Sequence, residues 1–176
     1  IETVSQKSAT GELAELYEKI AGPNGRMDNV LLVQSLNARA LGVHHELWKS
    51  ANHDPDSPLD RGEREVAAVV VSRLNGCHYC VTHHVRNLKR IWPEDRHYAV
   101  DHLASGKITR LSEREEAIVR YATKLTMNAR DIERADIDEL RAHDLDDRAI
   151  HDLAHLVGYY NYVNRIVLGL GVQLED

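Results

Sequence analysis

Apolar positions recur three and four residues apart along most of the chain, the spacing that lines one face of an α-helix rather than the alternation of a strand. In TGELAELYEKI (10–20), Leu13, Leu16, Tyr17 and Ile20 share such a face. The same pattern predicts helices over 29–36 and 38–52, and HDPDSP (53–58) then interrupts it. Asp60 with Glu63, and Ser112 with Glu115, have capping-box spacing and predict helix starts, one helix running to about 74 and the other to about 127. Asn75-Gly76 ends the first of these. A helix over 77–91 follows and stops before Pro93, whose fixed φ suits the first turn of a helix over 93–105. Two more are predicted over 131–143 and 147–170, the last strongly apolar from Leu153 onward.

VAAVVV (66–71) is the ambiguous stretch, because a short β-branched apolar run suits a buried strand as well as a buried helix. A strand leading into Cys-x-x-Cys would read as a thioredoxin-like domain. That fold sets a cis-proline from a later segment beside its dithiol, and of the four prolines, Pro23, Pro55, Pro58 and Pro93, none lies downstream of Pro93. The helical reading is favoured, and the expected fold class is all-α. With no tandem repeat, the 176 residues read as one domain over 1–176: N-terminal helices (1–58), a central helical hairpin region (59–105) and C-terminal helices (106–176).

Composition narrows the function. The chain carries 28 acidic against 22 basic residues, a net charge of -6, with no dense Lys/Arg tract, which argues against a nucleic-acid surface. No stretch approaches the roughly 20 apolar residues of a membrane span, and the start, IETVSQKSATGE, lacks a basic region followed by an apolar run. A cytoplasmic protein with no membrane association is expected. The C-terminal helix, with Val157, Val163, Ile166, Val167 and Leu170, carries more apolar surface than a small monomer needs, which predicts a homo-oligomer. In the same helix Asn161, Asn164 and Arg165 put polar groups into an apolar run and are expected to serve helix packing or a subunit contact.

The only two cysteines, Cys77 and Cys80, lie three apart, a chemical rather than architectural arrangement. On a helix Cys77, Cys80 and His84 form one stripe, and Gly76 before them sets the dithiol at a helix N-terminus, where unpaired N–H groups favour a thiolate. Helical Cβ atoms three apart lie about 5–6 Å from each other, against about 3.5–4.5 Å in a disulfide, so a small distortion of the first turn allows a dithiol/disulfide cycle. Peroxide reduction needs an attacking thiolate, a proton for the leaving alkoxide and a second thiol to resolve the sulfenic acid, and this stripe supplies all three. Glu65, on the preceding helix, is placed to orient His84 if the two helices form a hairpin. His78 and His83 read as partly exposed helix residues. Competing readings are a pair of small core cysteines, a zinc site using Cys77, Cys80 and His83 or His84, and a redox sensor with little turnover. Val81 after the second cysteine excludes c-type haem attachment.

Glu65, Cys77, Cys80 and His84 reproduce the spacing Glu-x11-Cys-x2-Cys-x3-His, and the chain thereby resembles the AhpD-like alkylhydroperoxidases of the carboxymuconolactone decarboxylase superfamily. SRLNGCHYCVTHHVRNL and GYYNYVNRIVLGLGVQL resemble its peroxidase-related subgroup. The resemblance implies an AhpD-like helical bundle with Cys-x-x-Cys at the start of a central helix, assembled as a trimer or hexamer. It also implies a peroxidase without cofactor or metal that reduces a hydroperoxide and is recharged by a thiol reductant or reductase. By the same resemblance Cys80 attacks the peroxide, Cys77 resolves, and Glu65 and His84 relay protons. The chain departs from the pattern at Tyr79, where the better-known members carry a second histidine. A phenol is a poorer proton carrier near neutral pH, and Tyr79, off the catalytic stripe, is expected to pack at the pocket wall.

Overall fold

The computed structural model describes residues 1–21 and 25–175. Among these the chain is helical throughout, with no strand, as the periodicity predicts. In chain order the helices are α1 (Gly11–Ile20), α2 (Asn29–Leu32), α3 (Ala38–Asn52), α4 (Arg61–Leu74), α5 (His78–Ile91), α6 (His97–Ala104), α7 (Glu113–Met127), α8 (Arg134–Ala142) and α9 (Asp147–Leu170). Both predicted capping boxes form: Asp60 accepts from the Glu63 N–H while Glu63 reaches back, and Ser112 and Glu115 do the same.

Four boundaries differ from expectation. The segment predicted as a helix over 29–36 keeps only one helical turn, because Asn37 begins α3 by accepting from the Ala40 N–H. Cys77 stands outside α5 as its N-cap, with ψ of 90°. Pro93 precedes a 3-10 turn, Glu94–Arg96, before α6 begins. Asp131 belongs to another such turn, and α8 starts later, where Glu133 and Asp136 cap each other reciprocally.

VAAVVV is helical because of where it sits. α4 runs through the centre and packs against α5, α6, α7 and α9, burying Val66 to Ser72 on every side. A helix covered all round needs no polar face, so its sequence loses the 3,4 period that marks surface helices. The chain leaves α4 through Gly76, at φ +69°, a conformation that would strain a residue with a Cβ. The Cys77 N–H donates back to the Ser72 carbonyl at 2.9 Å, and α5 folds against α4 as a hairpin.

The polar residues of α9 hold this turn in place. Asn75 Nδ2 donates to Asn164 Oδ1 at 2.9 Å and to Asn161 Oδ1 at 3.1 Å, and Asn164 Nδ2 donates to Ser72 Oγ at 3.2 Å. These asparagines serve packing within the chain, as expected for buried amides. Val157, Val163 and Val167 are likewise buried in the chain's own core, so three of the five residues expected to offer surface for assembly do not offer it. The apolar face of α9 is used on α4 and α7 instead.

Candidate active site

Cys77 and Cys80 are joined as a disulfide, with Cα atoms 5.3 Å apart. The departure of Cys77 from helical geometry is the first-turn distortion that brings the two sulfurs together. The Cys80 N–H, one of the free donors of the α5 N-terminus, donates to Cys77 Sγ at 3.4 Å. Cys77 is wholly buried, whereas Cys80 contributes to the wall of a cleft of about 600 Å³. The dithiol therefore has one sulfur at the cleft and one behind it.

His84, one turn beyond Cys80, lines the same cleft. Its Nδ1–H donates to Glu65 Oε2 at 2.7 Å, so the hairpin brings α4's carboxylate onto the stripe. This bond fixes the ring orientation and leaves Nε2 as the nitrogen able to exchange a proton. Glu65 Oε1 accepts from Asn87 Nδ2 at 3.3 Å, and the Tyr160 ring meets His84 edge-on at 4.7 Å between centroids. Tyr160 is itself anchored through its hydroxyl to Asn52 Oδ1 at 2.5 Å. All four residues singled out from the sequence, Cys77, Cys80, His84 and Glu65, thus lie together.

Asn87 had a signal that sequence reasoning passed over, since it follows His84 by three positions on the same helical face. Tyr160 had none, because it arrives from α9. Two further clusters were also missed. On one side of the cleft Tyr79 is buried and lines the wall as expected, but its hydroxyl is committed. It donates to Glu175 Oε1 at 2.7 Å and accepts from the Val30 N–H at 3.3 Å. Burial, and next the bond to Glu175, push the Tyr79 phenol well above its ordinary pKa, so it is a poor proton carrier. Glu175 also accepts from the Asn29 N–H at 2.8 Å and faces His83 Nε2 at 3.0 Å. Burial alone would raise the Glu175 carboxyl, but these donors together hold it below the usual range. His83 is therefore not a free surface residue: it lies on the Tyr79 ring, donates from Nδ1 to the Tyr79 carbonyl at 2.9 Å and ties α5 to the C-terminal segment.

On the other side, His44 is buried with Nδ1 accepting from Gln34 Nε2 and Nε2 bonded to the Tyr159 hydroxyl at 3.0 Å. Burial and then the neighbouring His45 lower its pKa to about 4, so the ring is neutral near pH 7. Among the described residues no group of three or more His, Cys, Asp or Glu is arranged to hold a metal ion, and no helix is long and apolar enough to cross a membrane.

Comparison with known proteins agrees with this architecture. Residues 44–91, which contain Glu65, both cysteines and His84, match the model of the Carboxymuconolactone decarboxylase family. No curated protein matches the sequence. The chain is similar in structure to an alkylhydroperoxidase AhpD core, an uncharacterized peroxidase-related protein from Ralstonia eutropha JMP134. The TM-score is 0.88 at 22% identity, over 100% of this chain and 92% of that one. A peroxidase-related protein from Silicibacter sp. TM1040 gives a TM-score of 0.81 at 24% identity, over 100% and 88% of the two chains. The debrominase Bmp8 gives 0.79 at 19%, over 99% and 91%. At these identities the likeness concerns the fold. Residues 44–91 thus match the carboxymuconolactone decarboxylase family model, and the chain as a whole has the AhpD-like fold.

Proposed function

We propose that the protein is a thiol-dependent peroxidase. The observation that carries this reading is the Cys77–Cys80 pair with Cys80 at the cleft wall, one helical turn from a histidine held by a carboxylate. In the reduced enzyme His84 Nε2 takes the Cys80 proton, and the thiolate attacks the peroxide oxygen, breaking the O–O bond. Cys80 becomes a sulfenic acid, and the alkoxide leaves as an alcohol with the proton returned from His84. The Cys77 thiol then displaces water from Cys80 to close the disulfide, and an external dithiol restores both thiols. The sum is hydroperoxide plus two thiols giving alcohol, water and a disulfide. The fully buried position of Cys77 suits the resolving role, since it keeps substrate from the second sulfur.

The test is consumption of an organic hydroperoxide with a dithiol donor, run on wild type and Cys80→Ser in parallel, with mass spectrometry of the protein after one turnover. Turnover abolished by Cys80→Ser, and a loss of two hydrogens reversed by dithiothreitol in wild type, are expected. Equal activity in the two proteins would reject the reading. A second reading has one observation in its favour: Trp48, Tyr79, Tyr159 and Tyr160 give the cleft aromatic walls suited to a flat ring. The debrominase of this fold is known with 2,3,4-tribromopyrrole bound. Here the same dithiol would convert a halogenated pyrrole and two thiols to the dehalogenated ring, halide, a proton and a disulfide. Bromide release from tribromopyrrole by a protein inert to hydroperoxides would select it.

A further inference from the structure

On the far side of His84 a second pocket, of about 250 Å³, opens at the N-terminal end of α4. It shares Trp48, His84, Asn87, Arg90 and Tyr160 with the larger cleft, so the two spaces adjoin along one strip of wall. Its charge is one-sided. Arg61, Arg64 and Arg90 line it together with His53, and Glu65, the sole carboxylate in the lining, is already engaged by His84 and Asn87.

Among the described residues none of the three guanidiniums makes an ion pair with a carboxylate, and all three line the one pocket. Arg64 makes one long bond, Nη1 to the Asp54 carbonyl at 3.4 Å, and its buried Nε has no acceptor. A buried N–H without a partner is uncommon in folded proteins, and a carboxylate oxygen in the pocket would satisfy this one. His53 reports the same field: burial first, then Arg61 and Arg64, lower its pKa. In a chain of net charge -6, three unpaired arginines around one pocket beside the dithiol cleft form a local anion trap.

We propose that this pocket binds the carboxylate of an organic acid whose apolar body lies along the larger cleft toward Cys80. Resting on the peroxidase reading, this makes the substrates carboxylic-acid hydroperoxides rather than neutral ones. The planar forks of the arginines match a carboxylate. Beyond the shared strip, Ile20, Val30, Leu31 and Val163 offer the walls that a hydrocarbon body needs and that free phosphate does not. Cys80 and Arg90 are ten residues apart on α5, about 15 Å along the axis. Helical side chains lean toward the N-terminus, so the guanidinium reaches back and shortens that span to the reach of a medium-length acid.

The experiment separates binding from turnover. Titration calorimetry of octanoate into the oxidised protein, which cannot react, should give saturable 1:1 binding in wild type. The affinity should fall about 10-fold or more in Arg64→Gln, the loss expected for one charge-assisted hydrogen bond. Arg61→Gln and Arg90→Gln, both at exposed positions and therefore safe for folding, should each weaken binding in the same direction. Octanamide should bind at least about 10-fold less tightly than octanoate. In turnover, wild type should favour a fatty-acid hydroperoxide over its methyl ester in kcat/KM, and the Arg61→Gln/Arg64→Gln double variant should lose that preference. Failure of all turnover would reject the peroxidase reading and leave the calorimetry to judge the pocket. Absent octanoate binding, equal affinity for octanamide, wild-type affinity retained in all three single variants, or tighter binding of inorganic phosphate would each overturn the proposal.

Discussion

Glu65→Gln keeps the shape of the side chain and removes its charge, so it isolates what the carboxylate does for His84. In the protein Glu65 Oε2 accepts from His84 Nδ1 at 2.7 Å while Oε1 accepts from Asn87 Nδ2 at 3.3 Å. A glutamine has one oxygen for these two donors. The better arrangement turns Oε1 to His84 and the amide nitrogen to Asn87, whose own amide can rotate to present its oxygen. The His84 bond survives, but as a bond to a neutral acceptor. The protonated histidine formed during the reaction keeps a charge-assisted bond but loses the opposite charge beside it, which at this partly buried site is about 1–1.5 kcal/mol. That corresponds to about a 10-fold fall in turnover. His84→Ala removes the proton carrier itself and should cost about 10² to 10⁴-fold. Because Glu65 acts through His84, the two losses should not add: in the His84→Ala background Glu65→Gln should change the rate by no more than about two-fold. Steady-state hydroperoxide consumption by the four proteins, with helicity checked by circular dichroism, decides this. A further 10-fold loss from Glu65→Gln in the His84→Ala background would refute the relay and give Glu65 a role of its own.

Tyr79→Phe should leave turnover within a few-fold of wild type, since the phenol is committed to Glu175, yet destabilise by about 1–3 kcal/mol in urea melts by leaving the Val30 N–H and Glu175 short of a partner. An unchanged melt with a large loss of rate would instead put the phenol into proton transfer. His44, whose folded pKa of about 4 lies below the ordinary 6.5, contributes stability that is complete above pH 6.5 and is lost as pH falls through 4. His45 and His53, lowered mainly by burial, act in the same direction. Unfolding free energy should therefore drop by up to about 3 kcal/mol between pH 6.5 and 4 on account of His44, and His44→Gln should flatten that slope; equal slopes would discard the assignment. Light scattering at micromolar concentration should find a trimer or hexamer, with Leu36, Val43, Tyr162 and Leu168 as exposed apolar residues available for contact, and a monomer would refute this.

What the sequence determined by itself is local. Capping boxes at Asp60 and Ser112 fix helix starts through bonds made within four residues, and Cys80 with His84 share a face by helix geometry alone. The partnership of Glu65 with His84 was legible only conditionally, because it needed α4 and α5 to form a hairpin, which Gly76 permits but does not compel. The run 66–71 is ambiguous in the sequence for a related reason: periodicity reports a solvent boundary, and that stretch of α4 has none. Likewise the valines of α9 could be recognised as apolar, but not whether they face this chain's core or a second copy. Tertiary structure alone decided that Glu175 reaches Tyr79 and His83, that Tyr160 edges His84, and that Arg61, Arg64 and Arg90 share a pocket. Each of these groupings joins different segments of the chain, and the proximity follows from the close packing of helices whose many weak contacts add together, a sum that no local spacing in the sequence records.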